Sequence, residues 1–180
     1  MLMTITEGLA ELKTLGKRIE KKREYVMLFL YRQDGIKDPL EKEGGSIEVM
    51  RRERQAIADL ETRHVAIRTV IQKKNQETPI TIGDTTKTIA EWLTWRKEIA
   101  GGSQKFVEKI RMNLQGARNT AQQKGWGVAS AGTTPAQPTD FVINVDEAEL
   151  ARQAEEFETI LGTLDGQLSL KNATVMIDVE

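Results

Sequence analysis

Ile5, Leu9, Leu12, Gly16, Ile19, Arg23, Val26 and Leu30 follow one another at alternating intervals of four and three residues. That period lines them up on one face of an α-helix, so the start of the chain is predicted to be a long amphipathic helix with a narrow apolar seam. Thr4 and Glu7 stand as S/T-x-x-E just before it, a pattern in which each side chain satisfies a backbone donor that the helix start leaves unpaired. Asp34-Gly35 and Asp38-Pro39 are the stop signals, because glycine suits a helix C-terminus and proline cannot continue a helix. The predicted helix, residues 5–33, is roughly 45 Å long at ~1.5 Å per residue.

The same grammar repeats along the chain. Gly44-Gly45-Ser46 predicts a second start, with Ser46 as N-cap and a helix over 47–76 that carries Met50, Ile57, Leu60, His64, Ile67 and Ile71 on one face. Alternating β-branched residues around Gly83-Asp84 predict a hairpin with strands 79–82 and 85–88. Thr88 and Glu91 form a second capping box and open a helix over 89–123. Its predicted inward residues are Ile89, Trp92, Leu93, Ile99, Phe106, Ile110 and Leu114, with a kink or break at Gly101-Gly102-Ser103. A flexible loop is expected over 125–138, a strand over 141–145, and a helix over 147–169 launched by Asp146 and Glu149. Val175, Ile177 and Val179 alternate with Thr174, Met176 and Asp178, so 173–179 reads as a final strand with one buried face. The expected fold is α+β and mainly α: one elongated domain over 1–180, with long antiparallel, coiled-coil-like helices. A small sheet at one end would join 79–88, 141–145 and 173–179.

Composition fits that outline. In 180 residues, 39% are apolar and 5% aromatic, a lean supply for a wide core, which points to seams partly covered by other chains. The absence of cysteine rules out disulfides and thiol chemistry. Charge is lopsided: residues 1–125 hold 24 Lys/Arg against 17 Asp/Glu, while residues 126–180 hold 2 against 10. The acidic C-terminal helix is therefore expected to lie against basic helices, within the chain or between neighbours. No apolar run reaches the ~18 residues of a spanning helix, and the N-terminus lacks the layout of a secretion leader, so a soluble protein is expected.

Chemistry-bearing patterns are few. Glu61 and His64 have the Glu-x-x-His spacing of di-iron bundles, but such sites need the motif twice, and His64 is the single histidine. His64 instead falls in register with Leu60 and Ile67, as a seam residue. Gly125-Trp126-Gly127 begins like a dinucleotide fingerprint, yet Ser130 stands where the third glycine belongs and the segment follows a helix. Glu155, Glu156 and Glu158 read as a solvated acidic face. Lys13, Lys17, Arg18, Lys21, Lys22 and Arg23, with Arg51, Arg52 and Arg54, make a basic run that Glu11, Glu20 and Glu24 interrupt. No aromatic residue interleaves it for base stacking, so nucleic acid is not the expected partner. No catalytic residue, cofactor, metal or small-molecule substrate is expected. The candidate residues are interface anchors: Trp92, Trp95, Trp126, Phe141, Val175, Ile177 and Val179, with Trp92 also expected in the core beside the hairpin.

Thr81-Ile82-Gly83-Asp84-Thr85-Thr86-Lys87-Thr88-Ile89-Ala90-Glu91-Trp92-Leu93, with Arg96 beyond it, resembles the turn-and-helix-start block of a little-characterised bacterial and phage family, sometimes labelled septicolysin. Val145 to Leu150, Leu164 to Leu168 and Asn172-Ala173-Thr174 resemble that family's closing stretch; the family tends to carry Trp where this chain has Ala173. The label implies a toxin, but the chain has no membrane-inserting apolar hairpin, and the family brings no established catalytic residues. The resemblance, the lean core and the split charge together imply a non-enzymatic structural virion protein of a tailed bacteriophage. It would be a capsid accessory, decoration or head–tail component, made in the host cytoplasm, bridging copies of itself or other virion proteins, with no membrane partner. The alternative expectation is a cytosolic, prefoldin-like coiled-coil chaperone or assembly factor.

Overall fold

The computed structural model describes residues 1–130, 132–134, 137 and 140–179. It is mainly α with small two-stranded β pairs. The element order is β1 (Leu2–Thr4), α1 (Ile5–Leu28), α2 (Ser46–Glu77), β2 (Pro79–Ile82), β3 (Thr85–Thr88) and α3 (Ile89–Thr94). A π-helical turn (Trp95–Ala100) follows, then α4 (Gly101–Lys124), β4 (Val128–Ala129), β5 (Phe141–Val142), α5 (Glu147–Thr174) and β6 (Met176–Asp178). Contacts gather into two compact units: Met1–Thr78 with Ser169–Glu180, and Pro79–Leu168.

In the first unit α1 and α2 run in opposite senses. Gly8 faces Ile67 and Ile71, Glu11 takes the Arg63 Nε at 2.6 Å, and Lys22 reaches Glu53 at 2.5 Å. The core joins Met3, Ile5, Leu12 and Leu15 to Ile67 and Ile71, and to Ile177 and Val179 of the C-terminal segment. The α1 seam is therefore Ile5, Gly8, Leu12, Leu15 and Ile19. Leu9 and Gly16 from the predicted stripe are displaced by Gly8 and Leu15, and Leu9 and Leu30 are exposed. A Cβ on Gly8 would stand 3.0 Å from Ile177 Cδ1 and 3.1 Å from Ile71 Cδ1, so glycine is what lets β6 and α2 close on α1 there.

The capping box at Thr4 is present: Thr4 N donates to Glu7 Oε2 at 2.7 Å, and Glu7 N donates to Thr4 Oγ1 at 3.2 Å. Helix α1 stops at Leu28, short of the predicted residue 33. With Lys22 level with Glu53, Phe29 is level with Ser46, where α2 begins. Beyond that point no opposing turn sustains a helix, and tertiary packing rather than propensity keeps most helices formed. Ser46 is the first residue of α2 and not its cap. The Asp38 carboxylate takes that role, accepting the Ser46 backbone N–H at 2.8 Å, the Ser46 hydroxyl and the Leu40 N–H at 2.9 Å.

The expected single sheet does not form; the strands make separate pairs. The C-terminal strand pairs antiparallel with β1, matching Met3 with Ile177, and not with residues 80–82 or 143–145. Both strands are short because Thr4 turns into the α1 cap, while α5 continues to Thr174, past the predicted residue 169. The alternation read for this strand holds: Ile177 and Val179 are buried, Val175 is half-buried, and Met176 and Asp178 are exposed. The hairpin forms at the predicted residues, with Gly83 at φ +57°, as a two-residue turn requires of its first residue.

In the second unit, Ile80, Ile82, Ile89, Trp92, Leu164 and Leu168 form the core. Thr88 and Glu91 make the second capping box. The chain is helical from Ile89 to Lys124, and the irregularity expected at Gly101-Gly102-Ser103 lies one turn earlier, as the π-helical turn. That turn carries an extra residue, and beside it the buried positions Ala100 and Val107 stand one place on from the predicted Ile99 and Phe106. Ala100 is buried, with Val107, Ile110 and Leu114 half-buried, whereas Leu93, Ile99 and Phe106, all predicted inward, are exposed. Strand β4 lies within the predicted loop 125–138 and pairs in parallel with β5. This limits the predicted strand 141–145 to Phe141–Val142; residues 131, 135, 136 and 138 of that loop lie outside the described residues.

Candidate functional site

The proposed interface anchors fall into three separate places. Trp92 is a core residue at 1% exposure, its indole N–H donating to the Ile80 carbonyl at 3.0 Å. Trp95 is half-buried and packs edge-on against Trp92, with ring centroids 5.5 Å apart, and tilted against Phe157 at 5.2 Å. Trp126 and Phe141 pack on each other at 5.4 Å, with Lys124 Nζ 4.3 Å above the Trp126 ring. Gly127 N donates to Asp140 at 2.8 Å, bracing this small cluster. Ile177 and Val179 are buried within the chain at 2% each, and Val175 packs against the same core. Trp92, Ile177 and Val179 thus spend their side chains inside the fold; Trp95, Trp126 and Phe141 keep part of their rings accessible.

A larger apolar surface lies where the sequence pointed only to a turn. The connection after α1 carries Tyr31 at 90% exposure, and Ile47 beside it, in the first turn of α2, is 89% exposed. Leu30, at 59%, is exposed with them, and Met27, Leu28 and Ile36 are exposed nearby in the chain. Val26, Phe29, Leu30, Tyr31, Ile47 and Met50 line a cleft of about 790 Å³ whose rim carries Arg32, Arg51 and Arg54. Asp38 is the carboxylate at this cleft, and the three donors it accepts, Ser46 foremost, pull its pKa down to about 2. Arg51 is held by Glu48 at 2.8 Å. Apolar side chains left this open in a folded chain mark an interaction surface more often than a chance of packing. The signal available in the sequence was the run Val26-Met27-Leu28-Phe29-Leu30-Tyr31, which extends round the helix instead of keeping to one stripe.

Several ionisable groups are engaged in helix caps and ion pairs. Glu7 and Glu91 are held below the usual carboxylate range by backbone hydrogen bonds from Thr4 and Thr88. Glu149 is lowered to about 2 by the Arg152 guanidinium and Gln153. His64 is half-buried beside Arg63, which pairs with Glu11. Lys22 and Arg23 of the basic run find their carboxylates on α2, at Glu53 and Glu61. On α5, Glu147 pairs with Arg118 and Asp165 with Arg96. Among the described residues, no group of three or more His, Asp or Glu could hold a metal ion, and no helix is long and apolar enough to cross a membrane.

No family model and no curated protein matches the chain. A crystal structure of a functionally unknown conserved protein from Corynebacterium diphtheriae is similar in fold, with a TM-score of 0.52 and 16% identity. The likeness covers 99% of this chain and 100% of that one.

Proposed function

We propose that this chain is a non-enzymatic assembly protein that works by bridging protein subunits. The observation that carries the reading is the open apolar cleft between the end of α1 and the start of α2, lined by Leu30, Tyr31 and Ile47. Covering such a surface is favourable by ~25 cal/mol per Å² of apolar area removed from water. Its occupant is another protein chain, a copy of this one or a neighbour in the same assembly. The narrower setting, a structural component of a tailed-phage particle, rests on the resemblance of residues 81–96 and 145–174 and on the lean apolar composition. In that setting the long helices form a coiled-coil-like hairpin that spans neighbouring subunits.

The same cleft supports a second reading, a prefoldin-like chaperone or assembly factor, because an apolar surface at the end of a helix pair is also where an unfolded client would be held. The two readings separate in one assay. A chaperone suppresses aggregation of a heat-denatured client at near-stoichiometric ratio; a structural subunit leaves that aggregation unchanged. The proposal itself is tested by sedimentation velocity of the wild type and of the double variant Tyr31→Asp/Ile47→Asp. Concentration-dependent association of the wild type that the variant loses is the expected result. A wild type that stays monomeric throughout and matches the variant would contradict it.

A further inference from the structure

The cleft between α1 and α2 carries more positive charge than its own carboxylates take up. Arg32, Arg51 and Arg54 line it, and Asp38 is the one carboxylate among the described residues that do so. Asp38 is already engaged, accepting the Ser46 backbone N–H, the Ser46 hydroxyl and the Leu40 N–H. Arg51 is engaged too, its Nε and Nη2 donating to Glu48 at 3.0 and 2.8 Å. Arg32 donates to the Ile36 carbonyl at 2.8 Å, and its charge reaches Asp38 only from beyond ion-pair distance. Among the described residues neither Arg32 nor Arg54 has a carboxylate within 4 Å, although twelve other ion pairs are formed. Both side chains are exposed.

The rest of the lining is largely apolar, with Val26, Phe29 and Met50 half-buried and Tyr31 and Ile47 almost fully exposed. A chain that covers Tyr31 and Ile47 also takes water from Arg32 and Arg54. A guanidinium group stripped of water without a partner is strongly unfavourable, and the partner it suits best is a carboxylate, which it can hold through two parallel hydrogen bonds. An uncharged segment would leave both arginines unpaired, and a basic one would add repulsion. No strand of the molecule lines the cleft, so no sheet edge is there to pair an extended peptide. A segment that enters therefore keeps its backbone groups paired within a helix. The cleft is also concave: a lipid surface would meet Tyr31 and Ile47 but leave the half-buried lining uncovered.

We infer that the segment docking in this cleft is an acidic amphipathic helix of the partner chain. Its apolar stripe, at i, i+3 or i+4 and i+7, covers Tyr31, Ile47 and the half-buried lining. Asp or Glu side chains bordering that stripe pair with Arg32 and Arg54. Matched charges fix the orientation of the incoming helix and turn away helices with basic borders. This deepens the proposed function and rests on it, since the cleft must first be a surface that takes a protein chain; what it adds is the chemical class of the segment.

The test is fluorescence anisotropy with three labelled helical peptides that share one stripe of leucines and differ only in the residues bordering it, Glu, Gln or Lys. The wild type is expected to bind the Glu peptide about tenfold or more tighter than the Lys peptide, with the Gln peptide between them. Affinity for the Glu peptide should fall with added salt, because exposed charges are screened over ~8–10 Å at 0.1–0.15 M. Arg32→Glu/Arg54→Glu should reverse the order of the Glu and Lys peptides. Tyr31→Ser/Ile47→Ser, which removes apolar surface without changing charge, should lose all three. All four positions are exposed, and thermal melts confirm that each variant is folded. If the wild type binds the three peptides alike and Tyr31→Ser/Ile47→Ser loses them, the inference fails and the cleft stands as a docking surface without preference for charge. If Tyr31→Ser/Ile47→Ser binds the Glu peptide as tightly as the wild type does, the inference and the proposed function both fail. A wild type that binds none of the peptides also overturns the inference, and its retention on vesicles of phosphatidylcholine and phosphatidylserine would then identify a lipid surface as the occupant.

Discussion

At Gly8 an added methyl group would stand 3.0 Å from Ile177 Cδ1, whereas at Gly16, further along the same helix, no atom lies within 4 Å. Gly8→Val is therefore expected to overpack the core of the first unit and cost about 1–3 kcal/mol. Gly16→Ala should instead gain about 0.5–1 kcal/mol, because a glycine on an open helix face loses entropy without a packing return. Urea denaturation of both variants checks the pair, and equal effects at the two positions would refute the packing of β6 on α1. Asp38 offers a second residue-level test. Its carboxylate, held near pKa 2 against an ordinary value of 3.8 by the donors at Ser46 and Leu40, stabilises the fold in its ionised form. A depressed folded-state pKa means that this stabilisation is complete above ~4 and is lost as pH falls towards about 2. Asp38→Asn should lower the melting temperature at neutral pH, and the gap to wild type should close by about pH 2. A gap that stays constant with pH would show that the carboxylate charge is not what caps α2. Single-residue roles were legible where the pattern is local: Thr4/Glu7, Thr88/Glu91 and Asp146 all cap as read. Asp38 was not, because its partner lies eight residues on, across a connection whose path no local rule gives.

At the scale of the element, the hairpin was legible to the residue, since a two-residue turn with glycine fixes its own register. The face of the third helix was not. The reading of residues 89–123, with its kink or break placed at Gly101-Gly102-Ser103, put Ile99 and Phe106 inside, and the π-helical turn one turn earlier moves Ala100 and Val107 there instead. Hydrophobicity alone favoured Ile99 over Ala100; packing of the Trp92–Trp95–Phe157 rings sits beside the turn that decided otherwise. Ile99→Glu should therefore change stability by within ~0.5 kcal/mol, as surface substitutions do, while Ala100→Glu should cost several times that. The reverse order in thermal melts would restore the predicted inward face. Strand β6 was read correctly in its alternation and wrongly in its partner, because β1 is three residues long and was absorbed into the lead-in of α1. Ile177→Asp places a charge at a position 2% exposed and should cost several kcal/mol. Deleting residues 2–4 should destabilise the first unit in the same way, since β1 is the only strand paired with β6 among the described residues. Urea denaturation that leaves either variant as stable as the wild type would contradict this pairing.

For the whole molecule, two observations support an account built on surfaces in place of a catalytic pocket. Many ionisable groups are engaged in caps and ion pairs, and large apolar side chains stay open, among them those of the cleft at Tyr31 and Ile47 and Phe106 and Met112 on α4. The mainly α build was legible from the 4-3 spacing and the cap signals. The exposed surfaces were harder to read, because periodicity tells which residues share a face but not whether the chain supplies something to cover it. Hydrogen exchange compared between the dilute, dissociated chain and its assembled form tests this account most directly. The account predicts slowed exchange over residues 27–50, where the cleft is covered, and over the adjoining turn of α2. Assembly that leaves the amides of residues 27–50 exchanging as fast as in the dissociated chain would contradict it.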